Sequence, residues 1–250
     1  MSPRILDHKA QLERENILLD CAHAFIQRES IAALTIDKLV KELPFSKGTV
    51  YNHFNSKEDL LLGLCNRGMS ILAELFSRAH KYEGLPREQG LAIHFAYMLY
   101  AKLYPTLFML VLTAKTSNIT DKASASRQEE HLQLEGKLIG PIVSIFQDSL
   151  NRGEISPPVP MTLEQLSFAC WSLSFGTNAL LLQNIERCGT RSNLIVEREL
   201  INNVHILFDG FQFHPLTHEF DWATTISKFK SITFLQEVNI LKDRGNILAI

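Results

Sequence analysis

Six hydrogen-bonding side chains are crowded into eight consecutive residues near the N-terminus of the 250-residue chain, namely Ser46, Lys47, Thr49, Tyr51, Asn52 and His53. Only Val50 and Phe54 offer inward apolar contacts nearby. This is more polarity than packing needs on so short a segment. Hydroxyl, amide, ammonium and imidazole groups on one helix face suit the phosphates and base edges of a DNA major groove. A merely polar face on a helical bundle would give a similar pattern, because such short motifs match by chance often.

Helix signals before and after this cluster predict the elements that position it. Thr35 and Ser46 are N-cap residues that open two short helices, and Pro44 stops the first of them. Ser56 opens a longer helix whose first turn is acidic, as the helix dipole favours. The predicted spans are 12–28, 36–43, 47–53 and 56–81. Two short helices about three residues apart, with a longer one behind, have the dimensions of a helix-turn-helix unit with its motif at 35–54.

Helical periodicity continues along the rest of the chain, and alternating strand patterns are scarce. The fold class is therefore predicted to be all-α: a three-helix N-terminal domain followed by a helical bundle. Further helices are predicted over 87–103, 105–115, 124–152, 162–185 and 193–213, with one more amphipathic helix within 222–241.

Composition limits the remaining functions. The net charge is −2, so a surface for nucleic acid has to be local. Between Thr35 and Lys57 the cations outnumber the anions: Lys38, Lys41, Lys47 and Lys57 against Asp37 and Glu42. The four cysteines form no CxxC pair, which argues against a disulfide framework or a zinc site. No signal peptide or membrane-length apolar run is evident, so a cytoplasmic protein without a membrane partner is expected.

The segment resembles the DNA-binding domain of the TetR (tetracycline repressor) family over about residues 12–72. The resemblance rests on Thr35, the run Ser46-Lys47-Gly48-Thr49, Tyr51, His53-Phe54 and Lys57. It implies phosphate contacts by Thr35, Tyr51, His53 and Lys57. It also implies contacts to bases or the adjacent backbone by Ser46, Lys47, Thr49 and Asn52. Pro44 and Phe45 depart from the family pattern, which usually has a glycine in the turn. Since proline cannot take a positive φ, a somewhat different turn is expected.

The resemblance assigns residues 73–213 to dimerisation and ligand binding and leaves 214–250 as an extension. The span 162–185 is apolar on most sides, so we expect burial on more than one face, with Gly176 and Ala179 allowing a partner helix to approach. The next helix offers Ile201, Val204, Leu207, Phe208 and Phe211. Candidate ligand-binding residues are His94, Tyr97, Tyr104, Phe108, Trp171, Phe175 and Asn178. Ordinary core packing explains an aromatic set at helical spacing at least as well.

The resemblance thus implies a homodimeric, ligand-responsive repressor that binds double-stranded DNA at a palindromic operator. Its effector would be a small apolar or amphipathic molecule, and no cofactor is expected. An alternative keeps the DNA binding but lets the C-terminal domain bind a protein partner. An enzyme is disfavoured, because Glu-x-x-His, HExxH, GxSxG and phosphate-loop motifs are absent.

Overall fold

The computed structural model describes residues 8–114, 119, 121–182, 189 and 191–250. All regular elements in these ranges are helical, so the all-α prediction is confirmed. In chain order the α-helices are α1 His8–Arg28, α2 Ile36–Val40, α3 Lys47–Tyr51, α4 Lys57–His80, α5 Pro86–Leu103, α6 Pro105–Ala114, α7 Ala125–Asn151, α8 Leu163–Leu181, α9 Val196–Gly210, α10 Trp222–Lys228 and α11 Leu235–Asp243.

In the part of the chain that the structure describes, the helices up to α9 follow the predicted order and differ from the prediction mainly at their ends. Helix α2 ends at Val40. The next residues form a turn in which Glu42 N donates to Leu39 O at 3.0 Å. The single helix predicted within 222–241 is split by a π-helical turn, Phe229–Thr233, in which Phe229 is buried and Ile232 is exposed. The predicted helix ends at 115 and 183–185 lie outside the described residues.

Contacts divide the chain into two compact units, each containing two stretches of sequence. Unit 1 comprises the residues up to Gly68 together with Thr106–Gln133, and unit 2 comprises Met69–Pro105 and Leu134–Ile250. The domain boundaries predicted after residues 72 and 213 divide the chain into consecutive segments. The two units instead each combine two separate segments. The reason is that α4 and α7 each continue from one unit into the other, and a boundary inside a helix leaves no break in periodicity.

Unit 1 is built around the apolar faces of α1, α2, α3 and the first half of α4. The fully buried side chains include Leu18, Ala22, Leu34, Leu39, Val50, Phe54, Leu60 and Leu64. Arg28 Nη2 donates to Glu42 Oε1 at 2.6 Å and so ties the end of α1 to the turn after α2. The short helices α2 and α3 are therefore held by burial on one side, which leaves their other faces to solvent.

Unit 2 surrounds α5, which is buried along almost its whole length. The segment after residue 213 belongs to this unit and supplies part of its core. Phe229 and Phe234 are fully buried, and their ring centroids lie 5.5 and 5.8 Å from that of Phe95. Arg78 and Glu237 form an ion pair between α4 and α11. The C-terminal extension is thus a structural cover of α5.

Arg87, at the start of α5, is fully buried and holds the chain around residues 205–222. Its guanidinium donates to Phe213 O at 2.5 Å and to Thr217 Oγ1 at 3.0 Å, and it pairs with Asp209 at 2.7 Å. It also lies 4.9 Å from the Trp222 ring centroid. A buried cation requires such a set of partners, because an unpaired charge is very costly inside a protein.

The described residues can be compared with the requirements of a membrane span and of a metal site. Helix α4 is long and apolar enough to cross a membrane, and the bent pair Pro86–Leu103 with Pro105–Leu112 passes the same test together. However, 67% of the apolar window of α4 is buried, as in the core helix of a globular protein. Within the described ranges, no cluster of three or more His, Cys, Asp or Glu side chains could hold a metal ion.

Candidate DNA-binding helix and apolar cavity

Helix α3 is short, and its first turn is fixed by side-chain capping. Ser46 is the N-cap: its Oγ accepts the Thr49 N–H at 3.2 Å and lies 2.9 Å from Thr49 Oγ1. Thr35 caps α2 in the same way by accepting the Lys38 N–H at 3.2 Å. Each cap satisfies a backbone donor that has no partner inside the helix, and such a cap contributes about 1 kcal/mol. Both hydroxyls are therefore partly committed to folding.

The predicted DNA-binding residues differ in how freely they face solvent. Five of them are exposed, namely Thr35, Ser46, Lys47, Tyr51 and Asn52. Thr49, His53 and Lys57 are half-buried. Val50 is fully buried and fixes the orientation of α3. The exposed set on α3 thus forms one polar face opposite its anchoring side chain.

Two of the predicted phosphate contacts have partners within unit 1. Lys57 Nζ donates to Ile31 O at 3.0 Å and closes the loop after α1. The His53 side chain is only 10% exposed, and its Nδ1 lies 3.9 Å from Glu15 Oε2. Burial lowers the pKa of His53, which the nearby Glu15 carboxylate partly offsets. Both side chains would have to turn outward to reach a phosphate.

Lys47 forms an exposed ion pair with Asp37, with Nζ and Oδ1 2.6 Å apart. Hydrogen bonding to Asp37 raises the pKa of Lys47, so the ammonium stays charged. Asp37 lies in the first turn of α2, beside a surface that would face polyanionic DNA. An exposed pair of this kind stabilises the fold only weakly, and a phosphate or guanine acceptor can replace the carboxylate.

Replacing Asp37 with asparagine should therefore raise DNA affinity about two- to fivefold at low salt. The substitution frees Lys47 and removes a negative charge near the phosphates. The melting temperature should change little, because both side chains are exposed. Fluorescence anisotropy at fixed salt measures the effect, with the exposed Asp148→Asn in unit 2 as the charge-matched control. Equal affinity of D37N and wild type would show that Asp37 does not compete for Lys47.

Gly48 has no packing role within the chain. A Cβ built there meets only Ser46 Oγ, at the ordinary contact distance of 3.8 Å. Its φ is also not in the positive range that favours glycine. Alanine would therefore fit in the free protein and would suit a helix better. The free protein therefore gives no reason for a glycine here, whereas close approach of another molecule would give one.

The Gly48→Ala variant should fold with unchanged or raised stability, by at most about 1 kcal/mol, and lose about tenfold in DNA affinity. Thermal unfolding and DNA titration on the same samples would separate the two effects. Gly136→Ala is the matched control, because Gly136 also lies on a helix and a Cβ there would meet nothing within 4 Å. A G48A protein that binds DNA like wild type would exclude close approach at this position.

The turn between α2 and α3 needs no positive φ. Among described residues other than glycine, only Gln212 has one, so Leu43, Pro44 and Phe45 all have negative φ. Phe45 packs under the Arg14 guanidinium of α1, whose Cζ lies 5.3 Å from the ring centroid. These negative φ values are compatible with the fixed φ of proline, so Pro44 is accommodated without a residue in the left-handed region.

Unit 2 contains a small apolar cavity of about 50 Å³. It is lined by Phe76, Gly90, Ile93, His94, Tyr97, Ile142, Ile145, Phe146, Cys170, Trp171, Ser174 and Phe208. No Lys, Arg, Asp or Glu is among these residues. The polar groups at the wall are the His94–Ser174 pair, hydrogen-bonded through Nδ1 and Oγ, together with the Tyr97 hydroxyl and the Trp171 indole, 3.4 Å apart.

Three of the seven predicted ligand residues line this cavity: His94, Tyr97 and Trp171. The other four are not part of its lining. Phe108 belongs to unit 1, and Tyr104 packs against Tyr100 with ring centroids 5.8 Å apart. Phe175 packs on Trp171, and Asn178 donates to Ser174 O at 2.9 Å.

Several lining residues were not selected from sequence. Ser174 and Cys170 lie with Leu166 and Asn178 on the single buried stripe of α8, at a spacing of four residues. That stripe of small and polar residues in an apolar helix was the available signal. Burial lowers the pKa of His94 to about 3 and raises that of the Cys170 thiol. The histidine is therefore a neutral hydrogen-bonding group, and the thiol is protonated and unreactive.

Comparison with known proteins adds an independent result. Residues 18–64 match the family model described as bacterial regulatory proteins of the tetR family. No curated protein sequence matches the chain.

Solved structures of low sequence identity share the fold. A TetR-family regulatory protein from Rhodococcus RHA1 superposes with a TM-score of 0.60 at 14% identity, covering 79% of this chain and 96% of its own. FadR from Bacillus subtilis, solved with stearoyl-CoA, gives 0.59 at 15% identity, covering 77% and 97%. AibR, solved with isovaleryl coenzyme A and operator DNA, gives 0.57 at 16% identity, covering 80% and 98%.

The family match covers α2, α3 and the caps at Thr35 and Ser46, which are the elements that present the polar face described above. The resemblance inferred from the sequence is thereby confirmed. The chain therefore carries an N-terminal helix-turn-helix domain of the tetR family of bacterial regulatory proteins, and its fold is that of the TetR-family structures compared above.

Proposed function

We propose that this regulator is a ligand-responsive repressor that acts as a homodimer on a palindromic operator in the cytoplasm and catalyses no reaction. The observation that carries the proposal is the outward face of α3, where exposed polar side chains adjoin a glycine that the chain itself does not need. Tyr51 and Thr35 would contact phosphates, and Lys47 and Asn52 would contact bases or the adjacent backbone. Two such helices about 34–36 Å apart read successive major grooves.

The surface of α8 supports a homodimer. Only four of its residues are buried, Leu166, Cys170, Ser174 and Asn178, although the helix is apolar on most sides. Phe168 and Leu180 are 63% and 53% exposed, and a Cβ at Gly176 would meet nothing within 4 Å. A second copy would cover this face.

Helix α9 would contribute less to such an interface than its sequence suggests. Ile201, Val204 and Phe208 are buried within unit 2 on the face of α9 that packs on α5 and α8, and Phe211, the C-cap residue of α9, is buried as well. Its large exposed apolar residue is Ile206, which is 70% exposed. Sedimentation of Phe168→Glu and Ile206→Glu would test whether these positions meet a partner, and a wild-type monomer would contradict the dimer.

The cavity of unit 2 supports an apolar or amphipathic effector. Acyl-CoA thioesters are the ligands of FadR and AibR, and an acyl group suits walls that carry no charge. A volume of about 50 Å³ is well below the few hundred Å³ of a usual ligand site. The effector would therefore bind a more open state and shift the population away from the state that binds DNA.

The small cavity equally suits a regulator whose C-terminal domain binds a protein. This alternative keeps the same DNA-binding face and replaces the effector by a partner. A thermal-shift series with acyl-CoA esters and the matching free acids separates the two. A rise in melting temperature that also releases DNA supports the sensor, whereas no shift across the series favours the protein partner.

DNA binding is tested with fragments from upstream of the gene, at controlled salt, with Lys47→Ala and Tyr51→Ala. We expect tight, sequence-selective binding by the wild type and a loss of about tenfold or more in each variant. The exposed Lys242→Ala in unit 2 is the control for the loss of a positive charge. Equal, weak binding of every fragment by folded wild-type protein would contradict the proposal.

A further inference from the structure

The C-terminal end of α3 is held by residues from other helices of unit 1. Phe54, two residues after the C-cap of α3, is fully buried, and its N–H donates to Val50 O at 3.0 Å. Arg127 of α7 covers the ring, with Cζ 4.9 Å from the centroid. Helix α4 also comes close, because a Cβ at Gly63 would lie 3.1 Å from the Phe54 ring and 3.6 Å from Arg127 Cζ.

The Arg127 guanidinium also forms an ion pair with Glu15, the carboxylate beside His53. Arg127 Nη2 pairs with Glu15 Oε1 at 2.7 Å, and Glu15 Oε2 lies 3.9 Å from His53 Nδ1. The Arg127 side chain is only 14% exposed. One cation from α7 therefore contacts Phe54 directly and His53 through Glu15, and these are the two residues that follow α3 and its C-cap.

The backbone around Arg127 is fixed independently of its side chain. Asp59 of α4 accepts the Ser124 N–H at 3.0 Å and the Ser124 hydroxyl at 2.9 Å. Asn66 donates to Arg127 O at 3.1 Å and to Glu130 Oε2 at 2.9 Å. The start of α7 is thus attached to α4, and the guanidinium extends from this fixed point towards the end of α3.

We propose that Arg127 is a positioning residue for DNA binding, whose guanidinium fixes the end of the recognition helix through Phe54 and Glu15. The inference rests on DNA binding through α3. It extends the DNA-reading unit to a residue that lies 63 positions beyond the matched family segment, which ends at residue 64. Arg127 itself is engaged by Phe54, Glu15 and Glu130 and acts without touching DNA.

The first test compares full-length Arg127→Met with wild type on a selected operator fragment over a range of salt concentrations. Methionine keeps an apolar contact with Phe54 but removes the charge and the pairing with Glu15. We expect about a tenfold loss of affinity and an unchanged slope of log affinity against log salt, because no phosphate contact is lost. Lys47→Ala made in the D37N background, where the ammonium has no internal partner, should in contrast reduce the slope by about one relative to D37N alone.

Ser124→Ala is the matched structural control. It removes a hydrogen bond that attaches the same segment to Asp59 but leaves the guanidinium in place. Its operator affinity should stay within about twofold of wild type at equal melting temperature. A general loosening of the segment would lower affinity in S124A as much as in R127M, and this outcome would overturn the positioning role.

The second readout is the titration of His53 by NMR. The charged groups near it are Glu15 and Arg14 from α1 and Arg127 from α7, which also contacts Glu130. Arg127 lowers the pKa of His53 and Glu15 raises it, in addition to the lowering by burial. R127M should therefore raise this pKa and Glu15→Gln should lower it, while S124A leaves it unchanged.

The outcomes separate the inference from the proposed function. Wild type that binds an operator selectively, with R127M binding equally well, overturns the positioning role alone. A reduced salt slope in R127M would make Arg127 a phosphate contact and also overturn it. Wild type that binds no fragment selectively contradicts the proposed function, and the inference fails with it.

Discussion

Replacing Arg87 with methionine is expected to lower the free energy of unfolding by about 3 kcal/mol. The guanidinium is fully buried, and it satisfies Phe213 O, Thr217 Oγ1 and the Asp209 carboxylate. Methionine fills a similar volume but leaves these acceptors without their donor. Since the partners belong to the chain that leads into α10, the C-terminal segment should loosen first.

Chemical denaturation followed by circular dichroism measures the change, and hydrogen exchange locates it. The exposed Arg198→Met on α9 is the control, and it should change stability by less than about 0.5 kcal/mol. A loss in R87M no larger than that of the control would mean that the Arg87 cluster contributes little to folding. Such a result would leave the packing of Phe229 and Phe234 as the main attachment of the segment.

Acid should destabilise unit 2 before its carboxylates are protonated. Burial lowers the pKa of His94 from 6.5 to about 3, and burial together with Arg87 lowers that of His205 to about 4. Below pH 6.5 the unfolded chain takes up protons that the folded state does not, so stability falls as the pH falls towards these values. At pH 5 the lowered pKa of His94 alone reduces the free energy of unfolding by about 2 kcal/mol relative to pH values well above 6.5.

Urea unfolding at pH 7, 6 and 5 tests this expectation. His94→Gln should flatten the dependence between pH 6.5 and 5, because glutamine keeps a polar group near Ser174 but does not titrate. The variant would be less stable than wild type at pH 7 and closer to it at pH 5. A pH dependence identical to that of wild type would show that His94 is not kept neutral in the fold.

The sequence was sufficient to predict those local features that a single residue type determines. Thr35 and Ser46 begin α2 and α3 as N-caps, as the sequence predicts. Exposure of Lys47, Tyr51 and Asn52 also follows from the helical period, since Val50 occupies the inward side. These features depend on residues no more than four positions apart in the chain, so they can be predicted from a single sequence.

Contacts between distant parts of the chain could not be predicted from the sequence. Nothing in the sequence links Arg127 to Phe54, or Arg87 to Thr217, because each pair is joined only by the tertiary fold. The cavity shows the same limit. His94 and Trp171 were selected as large side chains on middle helices, but the choice between them and Phe108 depended on which helices pack together.

The Asp37–Lys47 pair has a consequence for how binding to DNA would be measured. When Lys47 binds a DNA phosphate, it gives up its ion pair with the Asp37 carboxylate. That carboxylate then lies unpaired near the phosphates and attracts a cation from solution. Each phosphate contact releases cations from DNA, but the abandoned carboxylate takes some up again. The apparent number of ionic contacts from a salt titration would then fall short of the true number by up to about one. D37N should recover the difference, so that a weaker salt dependence in wild type reflects an internal ion exchange.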